Sequence, residues 1–313
     1  MEIRLYLQRV SSTQPAPAKF PQGGNAARVG SRSGVMWVAY PFFSMRSQGV
    51  VFITGASTGI GKATAMLLAD KGFTVVGTSR NPDHCKDVSF SIVQMELTNT
   101  ESIQKAVNHV IEKHGRLDVL INNAGVGISG PLEELPKEAI KNLFDTNLYG
   151  PIEVIKCVLP HMRHQNTGKI INITSIAGYS GLPFRSMYSA SKSALDRATE
   201  SLRLEIKGSG IQCCTIAPGA VATNIAQSRF HAPVLENSPY KATYGKSLEV
   251  MNTHVDHGVS TNMVAKKIYD VMCIKNVKPH YTVGSWLQRF SVHLKSVLPQ
   301  RWYEYMLAKF YNL

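Results

Sequence analysis

Two hydrophobic rhythms alternate along most of the chain. Short runs rich in Val and Ile are followed by longer stretches in which apolar positions return every three to four residues. The first run, Gly49 to Ile53, breaks into a glycine-rich turn; Lys62 to Lys71 then has helical spacing, ends at Gly72, and leads into a second run, Phe73 to Thr78. The same pairing recurs with Ser91 to Met95 before Glu101 to His114 and Leu117 to Ile121 before Lys137 to His164. It recurs again with Lys169 to Thr174 before Ser186 to Lys207, and Ile211 to Ile216 is a further run. The runs lack polar alternation, so both faces of each strand are expected to be covered. Strand followed by helix throughout predicts an α/β fold with a doubly wound parallel sheet and helices on both faces.

The two ends depart from this pattern. Residues 1–48 hold six Arg or Lys against the single acid Glu2, with Ser, Pro and Gly throughout and no sustained period. Such a segment packs little. It reads as a targeting peptide or as an extension ahead of an internal start at Met45; the second is favoured because Met45-Arg46-Ser47-Gln48 runs straight into the first strand. At the other end, Trp286, Phe290, Leu294, Val297 and Leu298 recur at spacings of three and four before Pro299, and Trp302, Tyr303, Tyr305, Met306, Phe310 and Tyr311 follow. The expected organisation is an N-terminal extension (1–48), one α/β domain (49–284) and an amphipathic helical extension (285–313).

Composition narrows the function classes. A chain of 313 residues with 44% hydrophobic content can bury a large core. The formal charge of +13 invites a nucleic-acid reading, but the basic residues are scattered and no zinc-finger, helix-turn-helix or aromatic RNA-binding pattern occurs, so no nucleic acid is expected. Cys85, Cys157, Cys213, Cys214 and Cys273 form no CxxC pair and are odd in number, which suits a reducing compartment. Cys213 and Cys214 lie in a predicted strand and read as two buried thiols on opposite faces. His161 and His164 stand i,i+3 without a third ligand nearby, so no metal is expected. No stretch approaches the ~18 uninterrupted apolar residues of a membrane-spanning helix.

The chemistry begins at the glycine turn. Gly55, Gly59 and Gly61 remove side chains where the backbone turns, where a pyrophosphate must approach, and where helix meets sheet; free N–H groups at the helix start favour an anion. An acid about 20 residues beyond such a turn would bond the adenosine 2′-hydroxyl of NAD. Gly77-Thr78-Ser79-Arg80-Asn81 offers none, and Arg80 presents a donor fork suited to a 2′-phosphate.

Tyr188-Ser-Ala-Ser-Lys192 carries the second element of chemistry. The two residues stand i,i+4 and share one helix face. Lowering a phenol's pKa by two or three units needs roughly 3 to 4 kcal/mol, and an ammonium about 4 Å away supplies ~4 kcal/mol at an effective dielectric of 20.

Together, Thr54-Gly-Ala-Ser-Thr-Gly-Ile-Gly61, Asn122-Asn-Ala-Gly125, Asn147, Ser175, Tyr188-x-x-x-Lys192 and Pro218-Gly219 stand in the order and spacing of the short-chain dehydrogenase/reductase family. From about residue 48 to 285 the chain resembles that family's shorter, single-domain branch. The resemblance implies a Rossmann-like sheet with the active site at the carboxyl ends of the strands, and a cytoplasmic homodimer or homotetramer assembled through the helices at 137–164 and 186–207. It implies Tyr188 as the acid or base, Lys192 as the group that lowers its pKa and holds the nicotinamide ribose, Ser175 as a hydrogen-bond partner of the carbonyl oxygen, and Asn147 as support for a water relay. It implies cofactor contacts from Gly55, Ser57, Gly59, Ile60, Gly61, Arg80, Glu96, Leu97, Asn123, Ala124, Gly125, Pro218, Gly219, Val221 and Thr223. Glu96-Leu97 departs from the usual Asp-Val, and Thr58 stands where many NADP-binding members carry a second base. NADP(H) is the expected cofactor, with NAD(H) as the other choice.

Beyond Pro218, residues 224 to 244 carry Phe230, Pro233, Val234, Leu235, Tyr240 and Tyr244 among small polar residues, a composition suited to covering a hydrophobic substrate. Overall the chain looks closest to members acting on hydroxysteroids, retinoids or long-chain keto lipids. The rival reading is a catalytically silent NADPH sensor. For residues 285–313, packing over the lid or a neighbouring subunit is favoured over peripheral membrane contact, because a soluble fold must also bury such a stripe. Lys278, Arg289, Lys295, Arg301 and Lys309 around the lone acid Glu304 keep the membrane reading open.

Overall fold

A computed structural model describes residues 49–85, 88–222, 229–233, 236–256 and 258–313. The first half runs β1 (Val50–Ile53), α1 (Gly59–Asp70), β2 (Thr74–Ser79), β3 (Ser91–Gln94), α2 (Thr100–His114) and β4 (Val119–Asn122), with only a short 3-10 turn at Pro82–His84 between β2 and β3. A two-residue strand, β5 (Ile128–Ser129), precedes α3 (Lys137–Phe144) and α4 (Gly150–Gln165). The second half continues with β6 (Gly168–Ile173), α5 (Ser186–Glu205), β7 (Ile211–Pro218), β8 (Phe230–His231), α6 (Lys241–Asp256), α7 (Thr261–Cys273), β9 (His280–Val283), α8 (Trp286–Val297) and α9 (Gln300–Phe310).

Seven strands form one parallel sheet in the order β3-β2-β1-β4-β6-β7-β9. The chain winds outward from β1 through β2 to β3 and then crosses back to β4, so the order reverses between β1 and β4. That switch point opens a crevice at the strands' carboxyl ends. Successive residues of each strand point to opposite faces and feed separate cores. Val51 and Ile53 join Leu68 of α1 and Ile268 of α7 on one side. Val50 and Phe52 join Val107 of α2 and Val158 of α4 on the other. Cys213 and Cys214 divide the same way and are both buried. Burial pushes both thiols up to about 12, so they act as small apolar side chains.

Most expected elements appear with boundaries shifted by a residue or two, and β7 runs two residues further, to Pro218. The long helix expected over 137–164 is interrupted by a π-helical turn, Asp145–Tyr149, between α3 and α4. Five elements were not anticipated: β9, α6, α7, and the paired strands β5 and β8, in which Ile128 and Ser129 align with Phe230 and His231. The last pairing joins segments about a hundred residues apart and brings Arg229 to the mouth of the crevice.

Candidate active site

The crevice is a cleft of about 1300 Å³. That exceeds the ~300–1000 Å³ of a single small-ligand pocket, leaving room for two ligands side by side. Gly55, Ser57, Gly59, Ile60, Arg80, Glu96, Leu97, Asn123, Ala124, Gly125, Ser175, Tyr188, Lys192, Pro218, Gly219 and Val221 all line it. Gly61 and Asn147 lie just behind the lining, and Asn147 is fully buried. Thr223 falls outside the described residues.

The glycine turn is tied to the end of β4 by Asn123. Its Nδ2 donates to the Thr54 and Gly55 carbonyls at 3.0 and 2.9 Å, while the Thr54 hydroxyl accepts from the N–H groups of Asn123 and Ala124, both at 3.0 Å. Gly55 has φ +67°, and a Cβ there would lie 2.8 Å from that of Ala124, so neither geometry nor space admits another residue. Thr58, ahead of α1, makes no side-chain cap, and the first turn holds no acid. Its N–H groups are left for an anion, which fits a pyrophosphate. Arg80 is exposed at the end of β2, on the cleft's rim, and the Glu96 carboxylate accepts from the N–H and hydroxyl of Thr98 at 3.4 and 3.2 Å.

The second half of the cleft holds the titrating groups. Ser175 follows β6; its hydroxyl accepts from the Ala177 N–H at 3.2 Å and donates to the Pro218 carbonyl at 3.4 Å. Tyr188 and Lys192 project from one face of α5, one turn apart, and both are buried. Lys192 Nζ donates to the Ile173 carbonyl at 3.1 Å. Gly125 faces the same ammonium: a Cβ on it would lie 3.2 Å from Lys192 Nζ and 3.1 Å from Asn147 Oδ1. Behind, α5 is fastened to the sheet by Asp196, which accepts from the Thr215 hydroxyl at 2.7 Å and pairs with Arg197 at 2.5 Å.

Burial by itself pushes the Tyr188 phenol up. The charges of Lys192 and Arg185, a hydrogen bond with Ser175 and the charge of Arg229 outweigh it, so the phenol is held below its ordinary value. Burial pushes the Lys192 ammonium down, against the opposing pull of Tyr188. A phenol so placed gives up its proton more readily than a free one, and it lines the cleft where a substrate could meet it.

The chain matches the short chain dehydrogenase family over residues 49–233. It belongs to that family. This short-chain dehydrogenase is 37% identical over 266 residues to a 3-ketodihydrosphingosine reductase of Bacteroides thetaiotaomicron, covering 84% of the chain and 98% of the relative. Among solved structures it resembles ElxO with NADP bound (TM-score 0.61, 27% identity, 75% of this chain and 96% of that one). It also resembles a Burkholderia phymatum short chain dehydrogenase/reductase in complex with NAD (TM-score 0.69, 25% identity, 79% and 92%). The fold is Rossmann-like, and the protein is an NAD(P)-dependent oxidoreductase.

Several residues of the cleft have no counterpart among the expected site residues. Arg185 and Arg229 reach its reacting end, and α8 and α9 supply a wall through Leu287, Phe290, Leu294, Met306, Leu307 and Phe310. Arg185 is the residue just ahead of α5, three positions before Tyr188, so its nearness to the phenol is a local feature of the sequence. Arg229 had no local signal. The C-terminal stripe divides: Tyr303 and Tyr311 are buried, Tyr311 packing with Tyr244 and Met251 of α6. Trp286, Val297 and Trp302 remain 75%, 79% and 70% exposed.

Proposed function

We propose that this dehydrogenase interconverts a ketone and a secondary alcohol on a hydrophobic, lipid-like substrate, using NADP(H). The observation that carries the reading is Tyr188, buried at the reacting end of the cleft and held below the usual phenol range by Lys192 and its neighbours. When bound, the nicotinamide supplies or accepts a hydride. Tyr188 then gives its hydroxyl proton to the carbonyl oxygen in reduction, or takes the alcohol's proton in oxidation. Ser175 donates a hydrogen bond to that oxygen as charge develops on it. Lys192 keeps the phenolate accessible, and Asn147 holds the backbone beside it.

The NADP(H) preference rests on Arg80 at the cleft's rim and the absence of an acid in Gly77-Thr78-Ser79-Arg80-Asn81. The lipid-like substrate is supported by the apolar wall of α8 and α9 and by the relative named for a ketodihydrosphingosine. NADPH absorbance with a panel of long-chain, steroid and retinoid ketones tests the reading, with Tyr188→Phe as the control. Turnover of any member by the parent chain and not by the variant supports it; equal rates end it, and a silent sensor would oxidise NADPH with none.

Two further parts of the proposal concern surroundings. No helix among the described residues is long and apolar enough to cross a membrane. The exposed aromatic residues of α8 and α9, set among Arg289, Lys295, Arg301 and Lys309, suit the headgroup layer of an anionic bilayer, so the protein is a cytoplasmic enzyme that touches membranes peripherally. Assembly as a homodimer or homotetramer through α4 and α5 is supported by Tyr149 and Leu204, large side chains left exposed beside them.

A further inference from the structure

Two guanidinium groups face the reacting end of the cleft, and among the described residues no carboxylate pairs with either. Arg229 is only 7% exposed, and its Nη1 is buried without a hydrogen-bond partner; the Nε of Arg185 is in the same condition. The Arg185 guanidinium carbon stands 4.8 Å from the centroid of the Tyr188 ring. Neither arginine joins an ion pair among the described residues, and residues 223–235 contain no Asp or Glu at all. Their near neighbours are instead phenols: Tyr188, Tyr244 and Tyr311 all act on the Arg229 charge. Buried charges are ordinarily paired, because an isolated one loses its hydration without return.

Local structure is bent toward this arrangement. Phe184, immediately before Arg185, has φ +55°, a left-handed conformation that a bulky residue rarely adopts. It is held there by the Gly130 N–H, which donates to its carbonyl at 2.8 Å, and by ring contacts with Tyr240 and Tyr244 at 6.5 and 5.1 Å. On the other side, the stem of Arg229 crosses Gly127, where a Cβ would come within 3.2 Å of the arginine Cγ. A strained residue and a glycine thus accompany two cations whose charges both act on the Tyr188 phenol.

We propose that Arg185 and Arg229 form an oxyanion subsite, so that the substrate is an apolar ketone or alcohol carrying a carboxylate or phosphate close to the reacting carbon. Guanidinium forks match either group in two-point fashion. The apolar remainder then runs along Leu182, Leu294, Met306 and Leu307. The inference rests on the reductase reading of the same cleft and adds the charge of the substrate to it.

The test compares 3-oxododecanoate, freshly prepared, with its methyl ester as substrates for NADPH oxidation by the full chain, alongside Arg185→Gln and Arg229→Gln. The acid should exceed the ester in kcat/KM by about tenfold or more, as expected for loss of a charge-assisted pair, and each variant should bring the ratio to within about twofold. Equal values for acid and ester in the parent chain overturn the proposal. An equal loss on both substrates also overturns it, because the arginines would then act through Tyr188 alone and not on the ligand. In a second arm, decanoate and decyl phosphate are added to the NADPH complex and Tm is read. One or both should raise Tm of the parent and not of Arg229→Gln, and the larger rise identifies the anion; no rise, or the same rise in both chains, overturns the subsite. Should no ketone oxidise NADPH while decanoate or decyl phosphate still raises Tm only in the parent, the reductase reading fails and the subsite stands. NADPH fluorescence confirms that each variant folds, and Arg185→Gln serves alone if Arg229→Gln does not.

Discussion

The Asn147 side chain satisfies both backbone polar groups of Val126: its Oδ1 accepts from the N–H at 2.8 Å and its Nδ2 donates to the carbonyl at 3.0 Å, with a further bond from Nδ2 to the Ser191 hydroxyl at 3.2 Å. The π-helical turn between α3 and α4 carries this amide, and such turns are often placed at functional sites. Through Val126 the amide fixes the strand end that carries Gly125, and through Ser191 it fixes the helix that carries Tyr188 and Lys192. Asn147→Ala should destabilise the fold by about 1–3 kcal/mol, the cost of leaving buried polar groups unpaired. It should also lower kcat more than it raises KM. Chemical denaturation and steady-state kinetics on one preparation check both; unchanged stability would show that water replaces the amide.

In the proposed mechanism the pH profile should follow Lys192, whose charge is the largest of those that lower the Tyr188 phenol. Alcohol oxidation needs the phenolate of Tyr188, so its rate should climb with pH and level off above a midpoint lower than an ordinary phenol's; ketone reduction needs the phenol and should fall through the same midpoint. Lys192→Met removes the first of the stabilising charges. The oxidation midpoint should move upward, and turnover at pH 7 should drop by about 10²–10⁴-fold. Arg185 and Arg229 still act on the phenol in that variant, so the profile should shift without vanishing. A midpoint that stays put would remove Lys192 from the proton's path.

Arg80 is the reader proposed for the 2′-phosphate. Fluorescence titration should give tighter binding of NADPH than NADH, and Arg80→Ala should narrow the gap by about 1.5–3 kcal/mol, the range for a hydrogen bond to a charged group. An equal affinity for both cofactors in the parent chain would move recognition elsewhere.

Peripheral membrane contact predicts that the chain pellets with anionic liposomes at low salt and is released as salt rises. Replacing Trp286 and Trp302 by Ser should abolish pelleting, since both indoles are exposed and their loss leaves the buried side of α8 and α9 intact. Equal pelleting of parent and double variant would show that this face does not meet the bilayer.

How much was legible in the sequence depended on whether a feature is local. Tyr188 and Lys192 are one helical turn apart and Gly55, Gly59 and Gly61 share one turn, so spacing alone brings each group together. Asn147 could be located, but not the turn that points it inward, because residues 137–164 keep a helical period across the π-helical turn. Arg229 reaches the cleft only because β8 pairs with β5, a long-range event with no periodic signature in two-residue strands. The C-terminal stripe was legible as helix, with Pro299 dividing α8 from α9. Its division into buried Tyr303 and Tyr311 and exposed Trp286 and Trp302 was not, because amphipathic spacing identifies a face without saying what covers it.

The apolar wall of the cleft is built from the last segment of the chain to be made. Residues up to Val221 already include the glycine turn, Arg80, Ser175, Tyr188 and Lys192, whereas Leu294, Met306 and Leu307 emerge from the ribosome only afterwards. During synthesis the groups that face the cofactor are therefore present before the surface that would enclose a greasy substrate exists.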